Sequence, residues 1–259
     1  MKLSEFLDYI GSELLDDRTE MLEGASDAIW SDEAIIRQLN EAQRVLCRRA
    51  WVLEDTDLTR IDAENNKVCQ IQMTENQTDY VFHKSILNIK SVRISDSDVD
   101  LLRVGYADNR LRNGFQYDDS IFWDVNSVIL EASGRPTRWS ADMGTRTLRV
   151  RQKPNGGTAA LSLNLVVVRM PIQQLTALDV EASPEVPEEY HMILARAAAG
   201  RLLQHPTVDA ILRTTGKEWL DEFDTECKEA RKDRERRQQS PIQMRSGGWA
   251  SDTYRNGWS

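Results

Sequence analysis

Three histidines, His83, His191 and His205, are the side chains best suited to move a proton or ligate a metal near neutral pH. None has a second His or a Cys at a recognisable metal-ligand spacing. His191 follows Glu188 and Glu189, but a zinc-protease helix needs a second His four residues from the first. His191 therefore reads as a helix-surface or subunit-contact residue. Cys47, Cys69 and Cys227 are scattered singly, and their odd count does not suggest a disulfide framework. A reducing compartment is the expectation. Asp and Glu are abundant, so a carboxylate pair can be drawn anywhere and carries no signal. No Gly-x-Ser-x-Gly elbow, phosphate loop or dinucleotide fingerprint is present. The expectation is no catalytic residue, no metal, no cofactor, and a protein that is not an enzyme.

Two features remain. Lys228, Arg231, Lys232, Arg234, Arg236 and Arg237 form a basic run, interleaved with Asp224, Glu226, Glu229, Asp233 and Glu235. Phosphate binding needs unopposed positive charge, so a solvated or partner-facing helix is the better reading. Beyond it, Trp249, Tyr254 and Trp258 stand in a Gly/Ser-rich segment, 240–259. Such aromatics bury large area with few rotors and favour interfaces. Either this is a frayed terminus with incidental aromatics, or it is a docking peptide that orders on a partner.

The elements that position these residues can be read from periodicity. Leu3, Phe6, Leu7, Ile10, Leu14 and Leu15 have helical spacing. Residues 16–27 read as a loop. Ser31 suits a helix N-cap, and Asp32 and Glu33 suit the positive end of its dipole. Trp30 and Ile35 take the positions of a hydrophobic staple. Ile35, Leu39, Ala42, Leu46, Ala50 and Leu53 predict a helix over 32–53. An alternating segment at 68–73 reads as a strand, 80–82 and 86–94 read as strands too, and 127–131 as a possible strand extension. The strands 145–151 and 159–168 flank Pro154-Asn155-Gly156-Gly157 and predict a hairpin. Roughly seven short strands at this spacing suggest an antiparallel sandwich or barrel.

Helices return after Pro184. Pro187, Glu188 and Glu189 suit a first turn. Small residues at 195–200 allow a close helix–helix approach, and His205-Pro206 ends that helix. A further helical pattern runs from Val208 to Phe223, with a possible break at Thr214-Thr215-Gly216. After Phe223 the apolar face is lost, which predicts a helix with little to bury in its own subunit.

The expected fold is α+β: a helical bundle of N- and C-terminal helices, an inserted antiparallel β-sandwich or barrel, and an extended C-terminal tail. The expected divisions are 1–60, N-terminal helices; 61–172, β insert; 184–239, C-terminal helices packing on 1–60, with a charged extension after 223; and 240–259, an extended aromatic docking tail. A net charge of −9 disfavours non-specific nucleic-acid binding. The start, with Glu5 and Asp8, reads as lacking a signal-peptide core. No segment approaches the roughly 18 uninterrupted apolar residues of a membrane span.

Several motifs together resemble the head–tail adaptor (connector) proteins of tailed bacteriophages. Trp30-Ser31-Asp32-Glu33, Leu39-Asn40-Glu41-Ala42-Gln43-Arg44 and Cys47-Arg48-Arg49-Ala50 resemble the family's opening helix. Gly134-Arg135-Pro136 with Trp139 looks like its Gly-x-Pro-x-x-aromatic turn. Val168-Arg169-Met170-Pro171 resembles the exit from its β insert. Pro184-Glu185-Val186-Pro187-Glu188-Glu189-Tyr190-His191 is similar to its entry into the C-terminal helices. The matches keep their order between Leu3 and Phe223.

The resemblance implies a homo-oligomeric ring, usually of twelve copies, bound below the portal protein at the head–tail junction of a virion. It implies a channel that DNA passes without specific binding, a lower face for tail or nozzle proteins, and assembly in the host cytoplasm. It brings no catalytic residue. The charged extension and tail vary within that family, so their role follows from the residues themselves: Arg231, Arg234, Trp249, Tyr254 and Trp258 are expected to contact the portal. The competing readings are another virion connector, such as a tail terminator or nozzle component; a nucleic-acid-binding regulator; and a hydrolase with a diffuse carboxylate site.

Overall fold

The structure is a computed structural model and describes residues 1–15, 30–103 and 133–246, with side chains up to Arg236. The chain divides into two compact units, one made of Met1–Val52 with Gln174–Ser259 and the other of Leu53–Gln173.

The first unit is helical. Helix α1, Leu3–Asp8, runs on into a π-helical segment, Tyr9–Leu14, and buries Leu3, Phe6, Leu7 and Ile10. Helix α2, Asp32–Ala50, starts where Ser31 Oγ accepts the Ala34 N–H at 3.2 Å. Its buried face carries Ile35, Ile36, Leu39, Ala42, Leu46, Cys47 and Ala50. Each large aliphatic among them is worth roughly 1.5–3 kcal/mol of burial. The helix stops three residues before Leu53, because Trp51 turns left-handed at φ 57° and returns its N–H to the Cys47 carbonyl. A 3₁₀ turn, Glu188–Tyr190, leads into α3, His191–Leu203, and α4 then runs from Ala210 to Ser246.

The small residues of α3 do allow close packing. A Cβ on Gly200 would lie 2.8 Å from the Gly216 carbonyl oxygen of α4, and one on Gly216 would lie 2.8 Å from Leu203 Cβ. Thr214-Thr215-Gly216 is thus no break but the point where the helices touch. The loss of an apolar face after Phe223 also needs correcting. Phe223, Cys227 and Ala230 are buried at helical spacing, so α4 stays packed on its own unit through that stretch. The helix continues to Ser246, into the segment expected to be extended. The loop expected at 16–27 lies wholly outside the described residues, as does everything after Ser246.

Among the described residues the second unit holds two four-stranded sheets. The strands are β1 Glu54–Asp55, β2 Gln70–Gln72, β3 Asp79–Val81, β4 Ile86–Ile94, β5 Leu102–Arg103, β6 Arg138–Asp142, β7 Thr147–Arg151 and β8 Ser162–Arg169. Strand formation therefore begins at Glu54, before residue 61. In the first sheet β4 lines one edge of β8 from Leu163 to Arg169. The other edge is shared end to end, β1 at Val167 and Val168 and β2 at Ser162 to Asn164. The second sheet has the order β3-β7-β6-β5. Both sheets feed one buried cluster, which includes Tyr80, Phe82, Ile89, Val92, Trp139, Leu148, Val150, Leu163, Leu165 and Val167.

Three expectations for this unit are overturned. Strands β7 and β8 do not form a hairpin, since β7 pairs with β3 and β6 while β8 lies in the other sheet. The Pro154–Gly157 signal marks a short helical turn instead, Gly156–Ala159, capped by Asn155 Oδ1 accepting the Thr158 N–H at 3.0 Å. The true hairpin is β6–β7, whose turn places Arg146 at φ 54°. The sheets are not wholly antiparallel, because β5 runs parallel to β6. Among the described residues neither sheet closes into a barrel, since each path has free ends. The possible strand at 127–131 lies outside the described residues.

Candidate functional site

Arg231 and Arg234 sit on one face of α4, one turn apart, just past the buried Phe223, Cys227 and Ala230. The Arg231 guanidinium carbon lies 3.3 Å from the centroid of the Trp51 ring. Its Nε also donates to Glu235 at 2.6 Å. Arg234 Nη2 donates to the Val52 carbonyl oxygen at 2.7 Å. A planar, delocalised cation over an indole gains both stacking and the pull of the ring's negative face. The left-handed turn at Trp51 sets that ring and the Val52 carbonyl side by side. Arg49 pairs with Asp224, the residue after Phe223, and Arg196 of α3 holds Glu222 at 2.9 and 3.1 Å. The expected portal-contact arginines are thus brought together with the end of α2, where they root the long helix. Trp249, Tyr254 and Trp258 lie outside the described residues.

The histidines have defined duties. His191 is 3% exposed, so it is neither a surface nor a subunit-contact residue. Its Nε2–H donates to the Val186 carbonyl at 3.1 Å, and Nδ1 accepts from the Met1 amino group at 2.9 Å. Burial pushes its pKa down, and the neutral ring matches this hydrogen-bond pattern. Phe6 packs on it with centroids 5.4 Å apart. His205 is exposed, bonds Thr207 at 2.8 Å and meets the edge of Trp30 at 5.8 Å.

His83 belongs to a constellation that sequence reading missed. Its Nε2–H donates to Asp62 Oδ2 at 2.9 Å, and its Nδ1 faces Ser85 Oγ at 2.7 Å. The atom order, carboxylate–imidazole–hydroxyl, is that of acyl-transfer enzymes. The surroundings serve a different purpose. Nδ1 also faces the Ser85 N–H at 3.2 Å, and Ser85 is only 5% exposed, so a substrate carbonyl has no approach to its hydroxyl. Asp62 accepts backbone N–H bonds from Asn66 and Glu64, which together with His83 hold its carboxyl well below the usual carboxylate range. The network pins the 62–66 turn to the segment before β4. No signal in sequence spacing links residues 21 apart in this way.

A second buried polar group lies at the end of β8. Arg169 Nε donates to Asp55 Oδ2 at 2.6 Å, and Arg60 Nε reaches the same oxygen at 2.7 Å. Arg169 and Asp55 are almost wholly buried. The pair joins β1 and β8 beyond their short ladder, so the arginine that interrupts the apolar run of β8 is an inward-facing structural residue.

Cys69 is buried and its thiol is pushed up to about 12, while Cys227 is pushed up to about 11, in both cases chiefly by burial. Neither behaves as a nucleophile near neutral pH. Among the described residues no cluster of His, Cys, Asp and Glu is placed to hold a metal ion. No helix among them is long and apolar enough to cross a membrane.

Compared with known proteins, residues 1–245 match the family described as SU10 adaptor protein. No curated protein matches the chain.

Proposed function

The chain belongs to the SU10 adaptor protein family, and from that premise we propose that it is a non-enzymatic connector at the head–tail junction of a phage virion. Copies of the chain form a ring, of twelve members by the family expectation, beneath the portal. The ring extends the DNA channel, and its lower face receives tail or nozzle proteins.

The observation that carries this reading is the family match across nearly the whole chain, both units included. Two physical features support it. Helix α4 has 37 residues, about 55 Å at about 1.5 Å per residue, while α2 and α3 have 19 and 13. Its arginine-rooted face and the aromatics that follow suit contact with another protein. The net charge of −9 lets DNA slide past without being held.

Within this reading the portal is met by the end of α4 and the segment after it. Trp249, Tyr254 and Trp258 supply the apolar anchors, and Arg231 and Arg234 form the root. Deleting residues 240–259 is expected to abolish co-assembly with the cognate portal while leaving the melting of the free protein unchanged and lowering its helical circular dichroism only by the share of residues 240–246 of α4. Undiminished co-assembly of the truncated chain would refute the assignment of portal contact to this segment.

A further inference from the structure

Helix α2 is closed by Trp51, whose φ of 57° lies in the left-handed region and whose N–H returns to the Cys47 carbonyl at 3.1 Å. A residue that closes a helix in this conformation is usually glycine, because a Cβ there crowds the following carbonyl. If ending α2 were its whole duty, glycine would do it with less strain. A bulky side chain held in such a conformation points to a duty for the side chain itself.

The indole is covered by Arg231. The guanidinium carbon stands 3.3 Å from the ring centroid, and Arg231 Nε donates to Glu235 at 2.6 Å, one turn further along α4. The cation is thus held flat on the ring, its charge shared between the ring face and a carboxylate, and its side chain is only 30% exposed. Three residues on, the half-buried Arg234 donates from Nη2 to the Val52 carbonyl at 2.7 Å. Both arginines are therefore engaged within their own helical unit.

The position of these contacts along α4 gives them their importance. None of residues 231–236 is buried, and Ala230 before them is the last buried residue of α4 among the described residues. The helix nevertheless runs on to Ser246, about 18 Å past Arg234 at about 1.5 Å per residue. An isolated helical arm of that length is marginal in water, so its helicity propagates from the last turn that packing holds. Among the described residues that turn is Arg231 to Arg234.

We propose that Trp51 is a positioning residue. With Val52 it staples α4 to the end of α2, through the Arg231 stack and the Arg234 hydrogen bond, and so keeps residues 235–246 helical and presented to the protein this arm binds. Arg231 and Arg234 then act through α2 and do not themselves touch that partner. The identity of the partner as the portal rests on the proposed function, and the staple does not.

The test uses the full-length protein. Hydrogen exchange read by mass spectrometry, without portal, compares residues 231–238 with residues 217–227. Native mass spectrometry then measures co-assembly with the cognate portal. Trp51→Gly keeps the left-handed turn and removes the ring. Arg231→Lys keeps the charge and loses the planar stack. Trp51→Phe keeps a ring face. Trp51→Gly and Arg231→Lys are each expected to speed exchange over 231–238 roughly three- to tenfold, the scale of one lost cation–π contact. Both are expected to leave 217–227 at wild-type rates and to weaken co-assembly, while Trp51→Phe retains most of the protection. Unchanged exchange over 231–238 in Trp51→Gly would overturn the staple. So would Arg231→Lys behaving as wild type, which would make charge and not stacking the operative property. Loss of protection spreading over 217–227 would overturn it too, by making Trp51 an ordinary packing residue. Loosened variants that co-assemble as well as wild type would overturn the presenting role. A wild-type chain that ignores the portal would sink the proposed function, and the exchange rates would still decide the staple.

Discussion

Replacing Gly200 by Ala sets two effects of opposite sign against each other. In an isolated helix the change favours folding by roughly 0.8–1 kcal/mol, because glycine loses more backbone freedom and alanine is the better helix former. In this protein the added methyl would stand 2.8 Å from the Gly216 carbonyl oxygen and 3.3 Å from Leu220 Cγ. The first contact is with the backbone of α4, which cannot rotate away, so the helices must separate. Overpacking of this kind costs roughly 1–3 kcal/mol, and separation also loosens the contacts around Phe223. The net expectation is a destabilisation of about 1–2 kcal/mol, seen in calorimetry as a melting temperature lower by about 3–8 °C for the helical unit. Gly134→Ala is the control, because a Cβ there meets nothing within 4 Å. It is expected to be close to neutral. A Gly200→Ala protein that melts at or above wild type would refute the close approach of α3 and α4.

Three further outcomes follow from the buried groups. Arg169→Leu leaves Asp55 buried with only the half-exposed Arg60, and is expected to cost about 3 kcal/mol in urea unfolding of the sheet unit, as for other broken buried pairs. A wild-type midpoint would show the pair to be dispensable. His191 has its pKa lowered by burial, so the unfolded chain binds the extra proton more readily. Its contribution is fully present above about pH 6.5 and is lost as pH falls below that value, and His191→Gln is expected to flatten the stability profile there. A profile unchanged by the substitution would contradict this. Alkylation with iodoacetamide at pH 8 is expected to spare Cys69 and Cys227 in the native protein and to label both in denaturant. Labelling of either in the native state would show that its surroundings open.

How much of this was legible depended on the kind of signal each residue sends. Helix α2 was readable because a cap, a dipole-matched first turn and an apolar stripe agree locally. The alternation of β7 and β8 was equally clear, but alternation shows which face is buried and not which strand is the neighbour. Pro154-Asn155-Gly156-Gly157 satisfied the rule for a hairpin turn, yet Asn155 used its side chain to cap a helical turn and sent the chain to the other sheet. The lower face of α4 was hidden by charge counting. Cys227 and Ala230 are small, and Arg231 packs by its plane on Trp51, so the stripe continues without the large apolar side chains that mark a helix face in sequence. Gly216 read as a helix break because a glycine's use in close packing depends on a partner, Gly200, that is distant in sequence. The Asp62–His83–Ser85 network left no sequence mark at all, since its carboxylate arrives from a separate turn. The adaptor resemblance did not depend on any of these points. It rested on motifs in both units, and the family match covers both.

The most direct test of the adaptor account is the mass of the complex formed when the purified full-length chain is mixed with its cognate portal, measured by native mass spectrometry and imaged by electron microscopy. The account predicts a closed ring of copies, twelve by the family expectation, seated on one end of the portal with a continuous central channel. A portal that stays bare, or a chain that instead binds DNA with steep salt dependence, would contradict it.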